Sequence, residues 1–165
     1  MKSEDFEVGD VLVHRTQGIG VIARTHEVTF AGETSECFIV EPILADPSFG
    51  RHIVSIDGVQ KRGFRPILSR TEIDQALVDA RSLPINTLGP NYSAWYWTVV
   101  TSARSNDFAE RVQAIRDLRQ RKHQVSDAMT DLLEHTTRAV IWEIQVANSC
   151  DTSEATRMLE TTLAP

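Results

Sequence analysis

Cysteine is scarce in this chain: Cys37 and Cys150 are its only two. Two thiols so far apart do not make a disulfide framework. Cys37 lies in the run Glu36-Cys37-Phe38-Ile39-Val40, where a buried, reduced thiol is expected. A nucleophilic cysteine would need a histidine and an orienting partner, and no such set stands out. Long hydrophobic runs are missing as well. No stretch approaches the ~20 apolar residues of a spanning helix. The segment from Met1 to Asp10 is acidic and lacks the apolar stretch of a signal peptide. The chain is therefore expected in the cytoplasm and away from membranes. Cations are in deficit, with 17 Lys and Arg against 23 Asp and Glu and a net charge of −6. That balance argues against a protein held to nucleic acid by charge alone.

Sites for chemistry are also lacking. His14, His26, His52, His123 and His135 are scattered, without paired metal-ligand spacing. Gly18-Ile19-Gly20 lacks the rest of a phosphate-binding fingerprint and precedes a strand pattern, so a tight hairpin is expected there. The pairs Asp127/Asp131 and Glu134/Arg138 are four apart, the spacing of a solvated helix face. No catalytic constellation, metal site or cofactor is expected, and the protein is not expected to be an enzyme.

What the chain does have is a core's worth of apolar residues, 41% of its 165 positions, and two contrasting halves. The first reads as short strands separated by glycine-bearing turns. Val11–Val13, Val21–Ala23, His26–Phe30, Thr34–Val40 and Arg51–Ile56 are the candidates. Ala31-Gly32-Glu33 forms one turn and Asp46–Gly50 another. Such spacing predicts a small antiparallel barrel or a strongly bent sheet. The second half reads helical. Ser69 and Glu72 have capping-box spacing, with Ile73, Ala76, Leu77 and Ala80 on one face. Ser82–Pro90, with two prolines and a glycine, is the clearest linker. Further helices are expected over Ser93–Ala103, after an Asp107 cap, over Ser126–Ala147, and after a cap at Thr152 or Ser153. The fold class is thus α+β. Residues 1–70 form the β-domain, 71–90 a helix and linker, and 91–165 an all-α domain.

Two segments are unusual. Tyr92, Trp95, Tyr96 and Trp97 crowd into six positions just beyond the linker. They cannot all face one small core, so they either join the two domains or face a partner. Arg116, Arg119, Arg121 and Lys122 form a basic cluster, read either as a solvated helix end or as a phosphate-contacting patch.

These motifs together carry a resemblance. Phe6-Glu7-Val8-Gly9-Asp10, Val13 and Gln17-Gly18-Ile19-Gly20-Val21-Ile22 resemble the opening of the CarD/CdnL-type bacterial transcription regulators. Gly32, Gly63-Phe64-Arg65 and the helix Asp107–Arg121 are similar to later elements of that family, in the same order. The resemblance implies a Tudor-like β-domain that binds the β subunit of RNA polymerase, and a helical domain that contacts promoter DNA. On this chain it places polymerase binding at Arg24, His26, Val28, Phe30, Arg51 and Ile53. It places DNA contact at Tyr92, Trp95, Arg116, Arg119 and Arg121. There are departures. The family's minor-groove tryptophan falls on Tyr92, and Ala94, Trp95 and Trp97 stand where basic residues are expected. Val28 and Ile53 are apolar where arginines are expected. Residues 91–165 hold eight basic and ten acidic side chains, a net −2. Promoter contact is therefore expected to be weak or absent. The expected partners are RNA polymerase and another regulatory protein. The alternative is an interaction adaptor unrelated to promoter opening.

Overall fold

The computed structural model describes residues 6–85, 91–121 and 126–164. The chain divides into two compact units, Met1–Ile67 and Leu68–Pro165.

The first unit is a curled, fully antiparallel sheet of five strands: β1 (Val11–His14), β2 (Gly18–Phe30), β3 (Glu33–Ala45), β4 (His52–Ser55) and β5 (Phe64–Pro66). Their order is β4-β3-β2-β1-β5. Leu12, Ile22, Phe38, Val40, Phe49, Val54, Val59 and Phe64 fill the concave side. The curl has identifiable causes. Register shifts interrupt the β2–β3 ladder between Ile19 and Gly20 and between Ile22 and Arg24, and each extra residue bends the pair. At Gly18, with φ of +135°, an added Cβ would meet the Ala45 Cα at 2.5 Å. At Gly20 it would meet Val40 Cγ1 at 2.7 Å. The expected hairpin at Gly18-Ile19-Gly20 thus lies slightly earlier, between His14 and Gly18. The glycines are strand positions where β3 approaches closely. The two expected runs around Arg24 are one continuous strand, because a bulge lets the ladder bend without ending.

The second unit holds α1 (Arg70–Ser82), α2 (Tyr92–Ala103), α3 (Phe108–Gln120), α4 (Asp127–Asn148) and α5 (Thr152–Leu163). Ser69 and Glu72 make the full capping box at α1, and the Asp107 side chain accepts from the Glu110 amide at α3. Two boundaries differ from expectation. Asn91 caps α2 by accepting from the Ala94 amide, so the helix opens at Tyr92. Asp151, not Thr152 or Ser153, caps α5, its carboxylate accepting from the Glu154 amide. Residues 86–90 of the expected linker, and Lys122 and His123, lie outside the described residues.

The core of this unit has two clusters. Ile73, Leu77, Phe108, Val112, Ile115, Val140, Ile144 and Leu159 join α1, α3, α4 and α5. Trp95, Val99, Val100, Ala114, Leu118 and Met129 join α2 and α3 to the start of α4. α3 supplies both clusters, so it is buried over most of its length. The architecture is α+β: a half-barrel sheet followed by five helices. Among the described residues, no helix is long and apolar enough to cross a membrane.

Candidate protein-binding surface

β2 and β3 run together for thirteen residues each, but their neighbours are short. β1 covers β2 only from Gly18 to Val21, and β4 covers β3 only from Cys37 to Val40. Residues 24–30 and 33–36 therefore extend as a two-stranded ribbon. Its outer β2 edge has no strand beside it among the described residues. Such an edge presents backbone groups to an incoming strand. Ala31 (φ +52°) and Gly32 (φ +87°) close its tip, the two-residue left-handed turn that suits the twist of a hairpin.

Side chains alternate faces along a strand, and residues paired across a ladder share a face. From Arg24 onward, Arg24, His26, Val28 and Phe30 lie on one face. Their partners Ile39, Cys37, Ser35 and Glu33 lie on it too. Ile39 is in turn paired with Ile53 on β4. Arg51, two residues earlier, forms a 3.0 Å ion pair with Glu41, which is two residues beyond Ile39 on the same side. All six residues assigned to polymerase binding from the sequence thus fall on one face of the sheet. Phe30 is 82% exposed, Ile53 is 56% exposed, and Val28 is half-buried. Cys37 and Ile39 are buried, and Cys37 is a free thiol as expected. The surface is an apolar patch bordered by two arginines and a histidine. The other face of the ribbon carries Thr25, Glu27, Thr29, Thr34 and Glu36, with Glu27 paired directly with Glu36. The two faces differ in chemistry, so the ribbon has a defined binding side.

One feature of this unit escaped the sequence reading. His14 on β1 and His52 on β4 stack with ring centroids 6.2 Å apart, against Phe49 and Phe64. These strands are not ladder neighbours, so the rings close the open side of the half-barrel. His14 Nδ1 accepts from the Thr16 amide. His52 Nε2 is buried with no hydrogen-bond partner among the described residues. Burial lowers the pKa of both imidazoles. His52 lowers that of His14 further, and Arg62 that of His52. Nothing in the local sequence marks the pair, because the two residues meet only through the curl of the sheet.

The helical unit treats its expected DNA contacts differently. Tyr92 is 48% exposed and Trp97 is 62% exposed, but Trp95 is buried in the core cluster of α2, α3 and α4. The Arg121 guanidinium lies 5.0 Å from the Trp95 ring centre, within cation–π range. Arg116 donates to the Ala80 and Leu83 carbonyls at the end of α1. It thereby satisfies carbonyls that a helix terminus leaves over. Arg119 makes a two-pronged pair with Glu160 at 2.7 and 2.8 Å, which holds the Glu160 carboxyl below its usual pKa. The described members of the basic cluster therefore have tertiary roles within the unit. Among the described residues no group of three or more His, Cys, Asp or Glu side chains could hold a metal ion.

Residues 6–47 match the family model described as the CarD-like/TRCF RID domain. The match spans β1, β2, β3 and the start of the turn after them, which includes the whole ribbon. A comparison with curated proteins found no match.

Proposed function

We propose that this protein, with its CarD-like N-terminal domain, is a transcription regulator that binds the β subunit of RNA polymerase and modulates initiation. The matched segment supports an RNA polymerase-interacting domain. The observation that carries the reading is the register, which gathers Arg24, His26, Val28, Phe30, Arg51 and Ile53 on one exposed face beside an open strand edge. The partner's strand adds to β2, and the apolar face supplies side-chain specificity.

Polymerase binding by the full chain tests this. Ile53→Glu and Val28→Glu each place a charge in the apolar patch, where an anchor residue is worth about 1–2 kcal/mol or more. Each is expected to weaken binding by about tenfold or more while the melting temperature holds. Unchanged affinity in both folded variants removes this face from the contact.

In this reading promoter DNA contact is weak or lost, and the exposed rings Tyr92 and Trp97 face another protein. The tertiary engagement of Arg116 and Arg119 favours that reading. The adaptor unrelated to promoter opening keeps the same surface. It is separated from the regulator by whether the full chain changes open-complex formation once polymerase is bound.

A further inference from the structure

The β2–β3 ladder fixes which backbone groups β2 leaves free. Hydrogen-bonded and non-hydrogen-bonded pairs alternate along an antiparallel ladder, and two observations set the phase. Phe30 and Glu33 flank the two-residue turn, which makes them a hydrogen-bonded pair. At the other end, the Ile22 amide donates to the Asp10 carbonyl at 2.9 Å, and the Ile22 carbonyl accepts from the Gly9 amide at 2.8 Å. The polar groups of Ile22 thus point away from β3, so Ile22 and its partner Val40 are a non-hydrogen-bonded pair. Counting along β3 from either end gives one result. Arg24, His26, Val28 and Phe30 bond to β3, and Thr25, Glu27 and Thr29 do not. The Thr29 and Thr34 hydroxyls agree with this, meeting at 2.9 Å in the closer kind of pair. The N–H and C=O groups of Thr25, Glu27 and Thr29 therefore point out of the open edge. No strand lies beside them among the described residues.

Glu27 is the central residue of the three, and its side chain sets the sign of the edge. It is paired directly with Glu36, and both are exposed. Neither has an ion-pair partner among the described residues. Like charges directly opposite destabilise a ladder. A strand added to β2 places one side chain beside Glu27 on that face, where a cation offsets the repulsion. The flanking residues of that strand lie on the other face, beside His26 and Val28. A second copy of the chain does not suit this edge. Laid antiparallel so that all three outward residues pair, it sets Glu27 against Glu27.

We propose that the occupant of the β2 edge is an extended segment of a partner protein that carries Lys or Arg opposite Glu27 and an apolar residue opposite Val28. Glu27 is then the residue that selects the segment. The inference rests on the reading above in taking β2 as the docking edge, but not in the partner's being polymerase.

The test uses the full chain and two blocked peptides long enough to face Arg24 to Phe30. In both, Val alternates with Thr, and the central Thr position holds Lys in one peptide and Glu in the other. Each is titrated while the backbone amide signals of Thr25, Glu27 and Thr29 are followed. The Lys peptide is expected to bind about fivefold or more tightly than the Glu peptide. Glu27→Lys should invert that order, and Glu27→Gln should abolish the preference. Glu36→Gln, one strand further from the edge, should keep it. Both Glu27 variants relieve the repulsion with Glu36, so melting should not fall. Equal binding of the two peptides overturns the proposal. So does a Lys peptide that does not bind or shifts other amides instead, or an order that Glu27→Lys leaves unchanged. Polymerase binding by the natural sequence is measured separately. Its absence removes the regulator reading and leaves the peptide comparison to decide this one.

Discussion

Arg111 and Glu143 are 1% and 0% exposed, and they pair between α3 and α4. Arg111 falls on the helical period of Val112, Ile115 and Leu118, so an inward charge was readable from the spacing. Its partner, thirty-two residues away, was not. Desolvating two charges offsets most of their attraction, so such a pair selects an arrangement more than it stabilises one. His14 and His52 show the same dependence on tertiary context. Burial lowers the pKa of both below the ordinary 6.5. As pH falls through 6.5, the unfolded chain takes up protons that the folded imidazoles refuse. Stability of the β-unit is therefore complete above that pH and declines below it, until the folded imidazoles themselves protonate. Chemical unfolding between pH 8 and about 5 should show this decline, and His52→Phe should flatten it. An equal slope in the variant would remove His52 from the effect.

At the scale of elements, the β2–β3 ribbon carries the most consequence. Its turn at Ala31-Gly32 and its half-buried Val28 follow from sequence. The facing of its residues depends on the bulge between Ile22 and Arg24, since one extra residue exchanges the faces of everything beyond it. Ala31 sits at φ +52°, a conformation that glycine or asparagine adopts at lower cost. Ala31→Gly should stabilise the β-unit by about 0.5–1 kcal/mol, read as a raised denaturation midpoint with an unchanged slope. A lowered midpoint would show that the alanine methyl contributes more than its backbone costs. The helices were more legible, because caps are local. Ser69-Glu72 and Asp107-Glu110 act within one turn. The one misassigned cap, at α5, had a second polar residue, Thr152, next to Asp151.

For the whole molecule, charge is the decisive quantity. The net −6 is spread over both halves, and Arg116, Arg119 and Arg121 are engaged with α1, with Glu160 and with Trp95. Among the described residues of the helical unit, that leaves few cations to release counterions from DNA. With two or three phosphate contacts, non-specific affinity is about 10⁻⁴ M or weaker at physiological salt. A mobility assay with free promoter DNA should show no shift at that salt. A clear shift, with affinity falling steeply as salt rises, would return DNA contact to the helical unit.

By itself the sequence determined the α+β class, the strand-then-helix order, the buried thiol of Cys37 and the capping of α1 and α3. Each rests on residues within a few positions of one another, where periodicity and turn chemistry act directly. The tertiary structure decided what each charged or aromatic side chain meets. It buried Trp95, tied Arg116 to the end of α1 and Arg119 to Glu160, stacked His14 on His52, and placed Val28 and Ile53 on one face. Those outcomes depend on sheet register, bulges and helix packing, which join positions far apart in the chain.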